Sequence, residues 1–441
     1  MTFTMANKMK TSISPSLVAA IYCLAFTTPA WLGGCGGDDD PGKSTDGLGD
    51  RLPAEAGKPG TIPAESSVAQ QASLVIFDDS RVHDVRLFLS AEDWQSILDD
   101  SSGDEPRRAT VSVDGVVIAN AGIRPSGESS RVPGNRKISL RVDLDAFDST
   151  KKLGGFDSIK LTGSWDDPFL IRDQLAYWYY RQVMPAPREV STQLWVNGQS
   201  RGAYQIEEIW SKESLKGRFA DAKGTLYRIR GVGGVDPYGY LGMEPALYIP
   251  LPWDAKGKHL PEAHMVIGKA LRIVHEEPAR LNEALDVDNM LTYFAASAIL
   301  SNTDGFGSEF EIDDVYEYYD PTTGRLFMLP WDPDNTFGSL NELPTRDIFA
   351  NFDRSVLTRF LKTTLRDRYY SKLDEVMRKI PIEIFHAQIE RAAGQIRPIA
   401  QADTLKMYPT EHFEWSVAYI KDFIAARYVS VGQQILPKQG P

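Results

Sequence analysis

The sequence predicts an α+β fold in which most of the strands precede most of the helices. Short alternating segments and turn signals are concentrated before about residue 240, whereas longer helical patterns occupy 265–300 and most of the chain beyond about 353. No internal repeat is present, so a solenoid or a propeller is not indicated. The 441 residues, of which 42% are hydrophobic, can bury one large core or two fused cores. Strand-rich and helix-rich regions in succession are typical of the α+β class.

The first predicted elements are two strands, a short helix and a hairpin. Segments 75–77 and 85–89 are rich in β-branched and aromatic residues, which favours strands. Residues 91–98 are predicted to form a helix, because the Ser90 side chain can accept a bond from the unpaired N–H groups of a first turn. The Asp114–Gly115 pair lies between two β-rich arms, which predicts a hairpin with a two-residue turn.

The middle of the chain alternates between strands and helices. Residues 137–144 alternate apolar and polar side chains, which predicts a half-buried strand. Residues 169–183 have a broad aromatic and aliphatic face and end before two prolines, as expected for a helix. Asn197–Gly198 favours a second hairpin over 193–208, and a third hairpin is predicted over 315–329.

The charge and the cysteine count exclude several functional classes. Lysine and arginine number 48 against 60 acidic residues, and the formal net charge is -12. This acidic excess argues against a nucleic-acid partner, since a phosphate backbone attracts a basic surface. Two cysteines, Cys23 and Cys35, are too few for a disulfide framework or a cysteine zinc site. The sequence also lacks the motifs of zinc peptidases, of hydrolases with a serine nucleophile elbow and of Walker nucleotide-binding loops.

The N-terminal segment is predicted to be an export signal. Two lysines precede a mostly apolar stretch, 17–29, that is too short for a confident membrane span. Residues 32–35, Leu-Gly-Gly-Cys, resemble the lipobox of bacterial lipoproteins, in which residues 1–34 are removed and the lipid is attached to Cys35. An ordinary secretory signal with an incidental cysteine is the alternative. The lipid anchor predicts a protein attached to a membrane of the bacterial cell envelope, on its extracytoplasmic side.

The segment after the signal is predicted to be a flexible tether. Residues 35–67 consist mainly of glycine, aspartate, proline, serine and alanine, with scarcely an apolar cluster. The folded domain is therefore expected at 68–441, with strands predominating to about residue 240 and helices after it.

Two acidic loops flank the third predicted hairpin. Asp304 follows an apolar helical segment, whereas Asp332 and Asp334 follow the second arm of the hairpin. Because a hairpin returns the chain to its starting level, these carboxylates are expected to converge at one end of a sheet. Loop carboxylates suit a hard cation such as magnesium. The alternative is local, with Asp304 capping a turn at Gly305 and the other two aspartates forming an Asx turn, and the spacing alone leaves both open.

Further motifs accompany the order of helix, acidic loop, hairpin and acidic loop, which protein kinases share. In chain order they are Gly122-Ile123-Arg124-Pro125-Ser126-Gly127-Glu128-Ser129, Leu170-Ile171-Arg172-Asp173-Gln174-Leu175-Ala176, Val196-Asn197-Gly198 with Gly202-Ala203-Tyr204 and Glu208, Asn302-Thr303-Asp304, Pro330-Trp331-Asp332-Pro333-Asp334, and the closing segment from Tyr419 to Arg427. Together they resemble the CotH kinase family, named for spore-coat protein H, over about residues 77–435. Each motif is weak alone, and the set is specific.

The resemblance implies an atypical protein-kinase-like fold with mixed or antiparallel sheets in its N-terminal part and a largely helical C-terminal part. It implies that the protein binds ATP with magnesium or manganese and transfers the γ-phosphoryl group to serine or threonine of an acceptor protein. By the same resemblance, Asp304 is the catalytic aspartate, Asp332 is the principal metal ligand and Asp334 supports it.

The resemblance also implies a set of residues that bind the nucleotide. Glu208 matches the glutamate that pairs with a phosphate-binding lysine. The loop 122–129 is expected to lie over the phosphates, where Gly127 permits close approach of the backbone. Lys137 and Arg124 are the cations available to the phosphate charge.

Three positions depart from the family pattern. Ser126 and Arg228 stand where the family usually or often has lysine, which is expected to weaken phosphate binding, since guanidinium and ammonium are not equivalent. Asp314 occupies the place of an asparagine and can bind metal, but it repels a triphosphate unless a cation lies between them. These departures support an alternative function, that of an inactive kinase-like binding or structural protein of the envelope or spore surface.

Overall fold

A computed structural model describes residues 62–99, 104–127, 131, 134–231, 234–257, 261–308 and 311–436, and their strands form two separate sheets. The predicted signal peptide 1–34, the predicted lipidation site Cys35 and most of the predicted tether lie outside these residues. Within them, the fold is the predicted mixture of α and β, with a barrel, an open sheet and a helical C-terminal part.

The first sheet is a closed barrel of seven strands. In chain order these are β1 (His83–Phe88), β2 (Arg107–Val113), β3 (Val116–Pro125), β4 (Leu140–Asp143), β5 (Ser158–Thr162), β6 (Glu189–Val196) and β7 (Gln199–Glu207). Around the barrel the order is β1-β2-β3-β4-β5-β7-β6, and a parallel pairing of β1 with β6 closes it. Closure leaves the barrel without an open strand edge.

Two hairpins of the barrel turn at the predicted residue pairs. Asp114 and Gly115 have φ values of 51° and 81°, and Asn197 and Gly198 have φ values of 50° and 78°. A positive φ at both central residues is the signature of the two-residue turn that matches strand twist, and aspartate, asparagine and glycine adopt it most readily. The predictions of both hairpins are confirmed.

The second sheet contains four antiparallel strands in the order β11-β10-β8-β9. They are β8 (Thr225–Ile229), β9 (Trp253–Lys256), β10 (Val315–Asp320) and β11 (Arg325–Pro330). The third predicted hairpin is the β10–β11 pair, whose register places Val315 opposite Pro330. The segments before β10 and after β11 therefore meet at one end of the sheet, where the Thr303 N–H donates to the Asn335 carbonyl at 2.9 Å.

Eleven α-helices occur in the described residues, and most of the long ones lie in the C-terminal part. They are α1 (Val68–Ser73), α2 (Ala91–Asp99), α3 (Arg172–Arg181), α4 (Lys212–Leu215), α5 (Met265–Glu276), α6 (Leu281–Ala284), α7 (Val287–Leu300), α8 (Val356–Lys362), α9 (Arg366–Lys379), α10 (Ile382–Ala402) and α11 (Thr410–Ile435). Ser90 caps α2 as predicted, since its hydroxyl accepts from the Asp93 N–H at 2.9 Å.

Two apolar cores differ in the side chains that fill them. The barrel interior is mainly aliphatic, with Val85, Val111 and Leu140 fully buried. The larger core lies among the helices and the second sheet and is rich in aromatic side chains such as Tyr293 and Phe294. Helix α3 packs against β6 on one side and against α7 and α10 on the other, so it joins the two parts.

The structure differs from the sequence prediction at three places. Residues 75–77 form no strand, and Ile76 and Phe77 lie in a turn, because three apolar residues alone do not distinguish a strand from a loop. The strand predicted over 137–144 is limited to β4. The predicted tether ends earlier than residue 67, since the Ser66 N–H donates to the Val117 carbonyl on β3 at 3.0 Å.

Candidate active site

A cavity of about 1050 Å³ opens between the barrel and the second sheet. Acidic side chains from the loops around β10 and β11 line one part of it, namely Asp304, Asp313, Asp314, Asp332 and Asp334. Basic side chains also line its wall, namely Arg124, Arg131, Arg141, Lys160, Lys212, Lys223, Arg228, Arg230 and Lys256. Its volume suits a small-molecule ligand, and its mixed charge suits an anion that carries a metal ion.

Lys160, on β5, lies buried between two carboxylates. Its Nζ is 2.8 Å from Glu207 Oε2 and 3.2 Å from Asp332 Oδ1. The Thr162 hydroxyl donates to the same carboxylate oxygen of Glu207 at 2.8 Å. Burial opposes the charged form, but the two carboxylates outweigh it and raise the pKa of Lys160 well above its usual range. Lys160 is therefore a fixed positive charge held from both the barrel and the second acidic loop.

Tyr177, on α3, connects the same two carboxylate residues through its hydroxyl. The hydroxyl donates to Glu207 Oε1 at 3.2 Å and accepts from the Asp332 backbone N–H at 2.9 Å. Asp332 has a φ of 45°, a left-handed conformation that is uncommon for a residue other than glycine. The backbone of the second acidic loop is thus hydrogen-bonded to α3, the helix that packs against β6 of the barrel.

Asn335 joins the two acidic loops. Its amide nitrogen Nδ2 lies 2.5 Å from Asp304 Oδ2 and 3.1 Å from Asp334 Oδ1. A single helical turn, Gly305–Gly307, follows Asp304, but the Asp304 side chain makes no capping bond to it. The predicted convergence of the two loops is therefore confirmed, and the local alternative fails for Asp304 because its carboxylate points to the other loop.

The carboxylates of the cavity are crowded. Burial raises the pKa of Asp304 and of Asp314, and the charge of Asp332 contributes in both cases. A divalent cation relieves such crowding, and carboxylate oxygens are the donors that magnesium and manganese prefer.

No ready-made cluster of three or more metal-ligating side chains is found in the residues that the structure describes. Magnesium is commonly held by one or two carboxylates, with substrate phosphates and water completing the octahedron. By the chemistry of its donors, the site thus fits a metal that arrives together with a phosphate-bearing ligand.

Arg228, on β8, forms an ion pair with Asp314, which immediately precedes β10. Arg228 Nη2 lies 3.4 Å from Asp314 Oδ1. Both residues depart from the family pattern, and each supplies the charge that the other needs. The negative charge of Asp314 is therefore already compensated by a cation in the cavity wall.

The loop that carries Asp304 is held by side chains from the segment after the second acidic loop. Arg346 donates to the carbonyls of Asn302 and Gly307, at 3.2 and 2.8 Å. Asn351 donates to the Gly307 carbonyl at 2.9 Å, and Arg354 donates to the Ser308 carbonyl at 2.8 Å. Hydrogen bonds to backbone carbonyls fix the course of the loop without occupying the Asp304 side chain.

The family model for CotH kinase protein matches residues 123–431 of this chain. The match spans β3 to β11, both acidic loops and the helical C-terminal part. The chain belongs to the CotH kinase family.

The remaining comparisons add little to this assignment. A solved structure described as the crystal structure of a Helicobacter pylori proinflammatory kinase, CtkA, matches with 9% sequence identity and a TM-score of 0.32, covering 77% of this chain and 95% of that chain. No curated protein matches. Across the described residues, none of the helices combines the length and the apolar character needed to cross a bilayer.

Part of the glycine-containing loop of this CotH kinase lies at the cavity. Arg124, Ser126 and Gly127 line it, and Gly127 has a φ of 81°. Arg124 is paired with Asp143 at 3.0 Å, so its charge is shared with the barrel wall. Residues 128–130 lie outside the described residues.

Two residues predicted to bind nucleotide lie elsewhere. Lys137 is fully buried away from the cavity lining, where its Nζ is 2.7 Å from Asp403 Oδ2 and 2.5 Å from the Ala203 carbonyl. The Glu208 carboxylate is buried against Arg188 and Arg218, at 3.0 and 2.6 Å. Neither side chain is placed to meet a ligand in the cavity, because neither of them lines it.

Lys160 does line the cavity, and the glutamate paired with it is the fully buried Glu207. Glu207 and Glu208 are adjacent, and strand alternation decides which of them faces Lys160. On β7, the register pairs Glu207 directly with Lys160 on β5. The sequence signal for Lys160 was present, since it is the only charged residue in the otherwise apolar and hydroxyl-bearing strand Ser158–Thr162.

Proposed function

We propose that this CotH kinase is an ATP-dependent protein kinase that phosphorylates serine or threonine and uses magnesium or manganese. The observation that carries the proposal is the position of the Lys160 ammonium between Glu207 and Asp332 in the cavity. Protein kinases use a lysine–glutamate pair beside a metal-binding aspartate to orient the phosphates of ATP. Asp304 completes the set, since Asn335 links it to the loop that carries Asp332.

The side chains that line the cavity would have different roles in binding the metal and the phosphates. Asp332 and Asp334 would hold the metal ion, which neutralises phosphate charge when it is bound. Lys160 would meet phosphate oxygens from the barrel side. Arg228 would compensate Asp314 and reduce its repulsion of the triphosphate. Of the residues expected from the family resemblance, Arg124, Ser126 and Gly127 remain candidates for the phosphate side of the site.

Asp304 would act on the acceptor hydroxyl. In the proposed step, the hydroxyl oxygen of serine or threonine bonds to the γ-phosphorus while the bond from that phosphorus to the bridging oxygen breaks. ADP leaves with the bonding electrons, and the hydroxyl proton passes to the Asp304 carboxylate. Burial raises the pKa of Asp304, which moves this carboxylate towards the range in which a general base is effective.

An apolar part of the cavity would receive the nucleoside. Ile209, Trp210, Leu215 and Leu226 line it, and the Trp210 indole is fixed by a bond to the Pro330 carbonyl at 2.9 Å. A purine has two apolar faces, so a slot of aliphatic and aromatic side chains favours its binding. The triphosphate would then extend towards the acidic loops.

The proposed location is the bacterial cell envelope, on the extracytoplasmic side, with a lipid on Cys35 holding the domain at a membrane. Its acceptor would be a protein of that compartment. Replacement of Cys35 by serine, followed by fractionation of the expressing cells, tests the anchor. The protein should move from the membrane to the soluble fraction, and an unchanged distribution would contradict the lipid.

Labelled ATP tests the kinase function directly. The full chain is incubated with γ-labelled ATP, magnesium or manganese, and envelope proteins, beside the variants Asp304→Asn and Asp332→Asn. The control is Asp367→Asn, whose side chain is 94% exposed on α9. Transfer by wild type and by the control that is lost in both site variants supports the proposal.

The alternative is an inactive kinase-like protein of the envelope or spore surface, and Ser126 in place of the family's lysine favours it. A thermal shift measurement with ATP and each metal separates the two functions. Stabilisation of the wild-type protein by the metal–nucleotide pair is expected of a kinase. If neither a thermal shift nor a labelled product is observed, the kinase function is contradicted and the binding or structural function is supported.

A further inference from the structure

We infer that Tyr177 is the positioning residue that fixes the backbone of Asp332, and thereby the metal end of the site, relative to the Lys160–Glu207 pair. The inference rests on the proposed function, because it assigns Tyr177 a part in metal-dependent phosphoryl transfer. Tyr177 itself lines no part of the cavity and is fully buried on α3. It therefore acts through Asp332 and Glu207 and is not a catalytic residue.

A closed circuit of hydrogen bonds carries the inference. Lys160 Nζ bonds Glu207 Oε2 at 2.8 Å and Asp332 Oδ1 at 3.2 Å. Glu207 Oε1 accepts from the Tyr177 hydroxyl at 3.2 Å, and the same hydroxyl accepts from the Asp332 N–H at 2.9 Å. Asp332 is thus held twice, once through its side chain by a charge and once through its backbone by a neutral phenol.

The chemistry of the phenol suits this position. A single hydroxyl group can donate one hydrogen bond and accept another, whereas a carboxylate only accepts and an ammonium only donates. Glu207 requires a donor and the Asp332 N–H requires an acceptor, so a hydroxyl satisfies both. Phenylalanine keeps the ring and its packing but would leave the buried Glu207 Oε1 and the Asp332 N–H without this partner.

The conformation of Asp332 explains why such an anchor is needed. Its φ of 45° lies in the left-handed region, which non-glycine residues adopt only when their surroundings hold them there. If the bond from the Asp332 N–H to the Tyr177 hydroxyl is lost, the backbone at Asp332 can adopt another conformation. The Asp332 carboxylate would then change its position relative to Lys160. Small displacements of a metal ligand or of a phosphate-orienting group reduce the rate strongly.

The chain supplies a matched control on the same helix. Tyr179 is also fully buried on α3, and its hydroxyl is bonded to the Tyr428 hydroxyl at 2.8 Å. Tyr179→Phe removes one phenolic hydroxyl from the same helix without touching either acidic loop. A general loss of stability in α3 should therefore affect both variants, and a positioning effect should affect Tyr177→Phe alone.

The test compares wild type, Tyr177→Phe and Tyr179→Phe as full chains. Manganese binding to the protein, followed by the resonance signal of the free ion and corrected for the ion that ATP binds by itself, should weaken about tenfold in Tyr177→Phe. Its kcat should fall about tenfold, while its KM for ATP changes less than about twofold. Tyr179→Phe should match wild type in all three quantities. Equal behaviour of the two variants would overturn the inference.

Hydrogen exchange gives a second test that depends on neither activity nor metal. In the wild-type protein, the Asp332 amide should be protected, because the buried Tyr177 hydroxyl accepts from it. The peptide that contains Asp332 should exchange faster in Tyr177→Phe and at the wild-type rate in Tyr179→Phe. An unprotected Asp332 amide in wild type would refute the anchor even if Tyr177→Phe failed to fold. Absence of metal and nucleotide binding in wild type would instead refute the kinase proposal, with the exchange result still deciding the anchor.

Discussion

Two buried lysines of this CotH kinase have the same kind of partner and different surroundings. Lys137 and Asp403 are both fully buried, and the lysine makes a further bond to a backbone carbonyl. Lys160 is paired with buried Glu207, but its second partner, Asp332, keeps 32% of its side chain exposed at the cavity. A fully buried ion pair stabilises one conformation of the chain. In a pair with one partner exposed at the cavity, a ligand can replace that partner.

The charge balance around the two lysines differs as well. Burial lowers the pKa of Lys137, and the single carboxylate of Asp403 only partly offsets it. At Lys160 the carboxylates of Asp332 and Glu207 more than offset burial and raise the pKa. An excess of acid around a lysine is costly in a folded chain, unless a cation joins it. From this comparison we expect Lys137 to contribute to stability and Lys160 to take part in the proposed phosphoryl transfer.

The largest expected effect is on activity and comes from Lys160→Met. Methionine fills much the same volume but brings no charge to the phosphates, so phosphoryl transfer should fall by at least about 100-fold. Initial rates with labelled ATP at saturating metal measure the loss. A variant that folds and retains more than about a tenth of the wild-type rate would break the distinction between the two lysines.

Lys137→Met should affect stability and spare the chemistry. Removal of the lysine leaves the buried Asp403 carboxylate without its cation, which costs about 3–5 kcal/mol of unfolding free energy. Denaturant unfolding of wild type and variant measures the difference. Activity per folded molecule should remain within about twofold of wild type. A stable variant with a large loss of activity would place Lys137 in the catalytic machinery instead.

A buried carboxyl without a lysine provides a third case. Burial raises the pKa of Glu317 to about 8, and the Tyr238 hydroxyl donates to one of its oxygens. Because the folded-state pKa is raised, the stabilisation is present at low pH and is lost as the pH rises towards 8. Between pH 6 and 8 the wild type should lose about 2 kcal/mol that Glu317→Gln does not lose. Denaturant titrations at several pH values would contradict this assignment if the two curves ran parallel.

The smallest expected effect comes from an ion pair at the cavity wall. Arg228 and Asp314 are 25% and 18% exposed, so solvent screens part of their interaction. Arg228→Gln should raise the KM for ATP about two- to fivefold, because Asp314 is then uncompensated beside the triphosphate. The double variant Arg228→Gln with Asp314→Asn should recover most of that loss. Lack of recovery would mean that Arg228 contacts the nucleotide independently of Asp314.

The sequence was sufficient to predict the hairpins and the meeting of the acidic loops. Aspartate or asparagine followed by glycine between β-rich arms determines the turn locally, and the third hairpin carries Asp304 to Asp334 through the chain itself. The hairpin turns and the meeting of the two acidic loops depend on residues that are close in the sequence, so they can be predicted from residue types and spacing. The roles of the two lysines cannot be predicted in this way.

Long-range partners made the lysines ambiguous in the sequence. Asp403 lies 266 positions after Lys137, and Asp332 lies 172 positions after Lys160. Each lysine occurs in a segment of alternating or apolar residues. Neither segment indicates which part of the chain packs against the lysine. The choice between Glu207 and Glu208 required the register of β7 against β5, where a shift of one residue exchanges the two faces.

The last helix of the described residues, α11, supports the candidate site from a distance. Arg427, on α11, is buried, and its guanidinium donates to the Ala298 carbonyl at 2.8 Å and to the Pro344 carbonyl at 3.0 Å. It thus ties the end of α7 to the segment whose Arg346 holds the loop of Asp304. A chain that is cut before Arg427 keeps all the residues that line the cavity but loses this tie. The loop of Asp304 therefore depends on a side chain far from the cavity in the sequence, and a truncation that removes no lining residue is expected to loosen it.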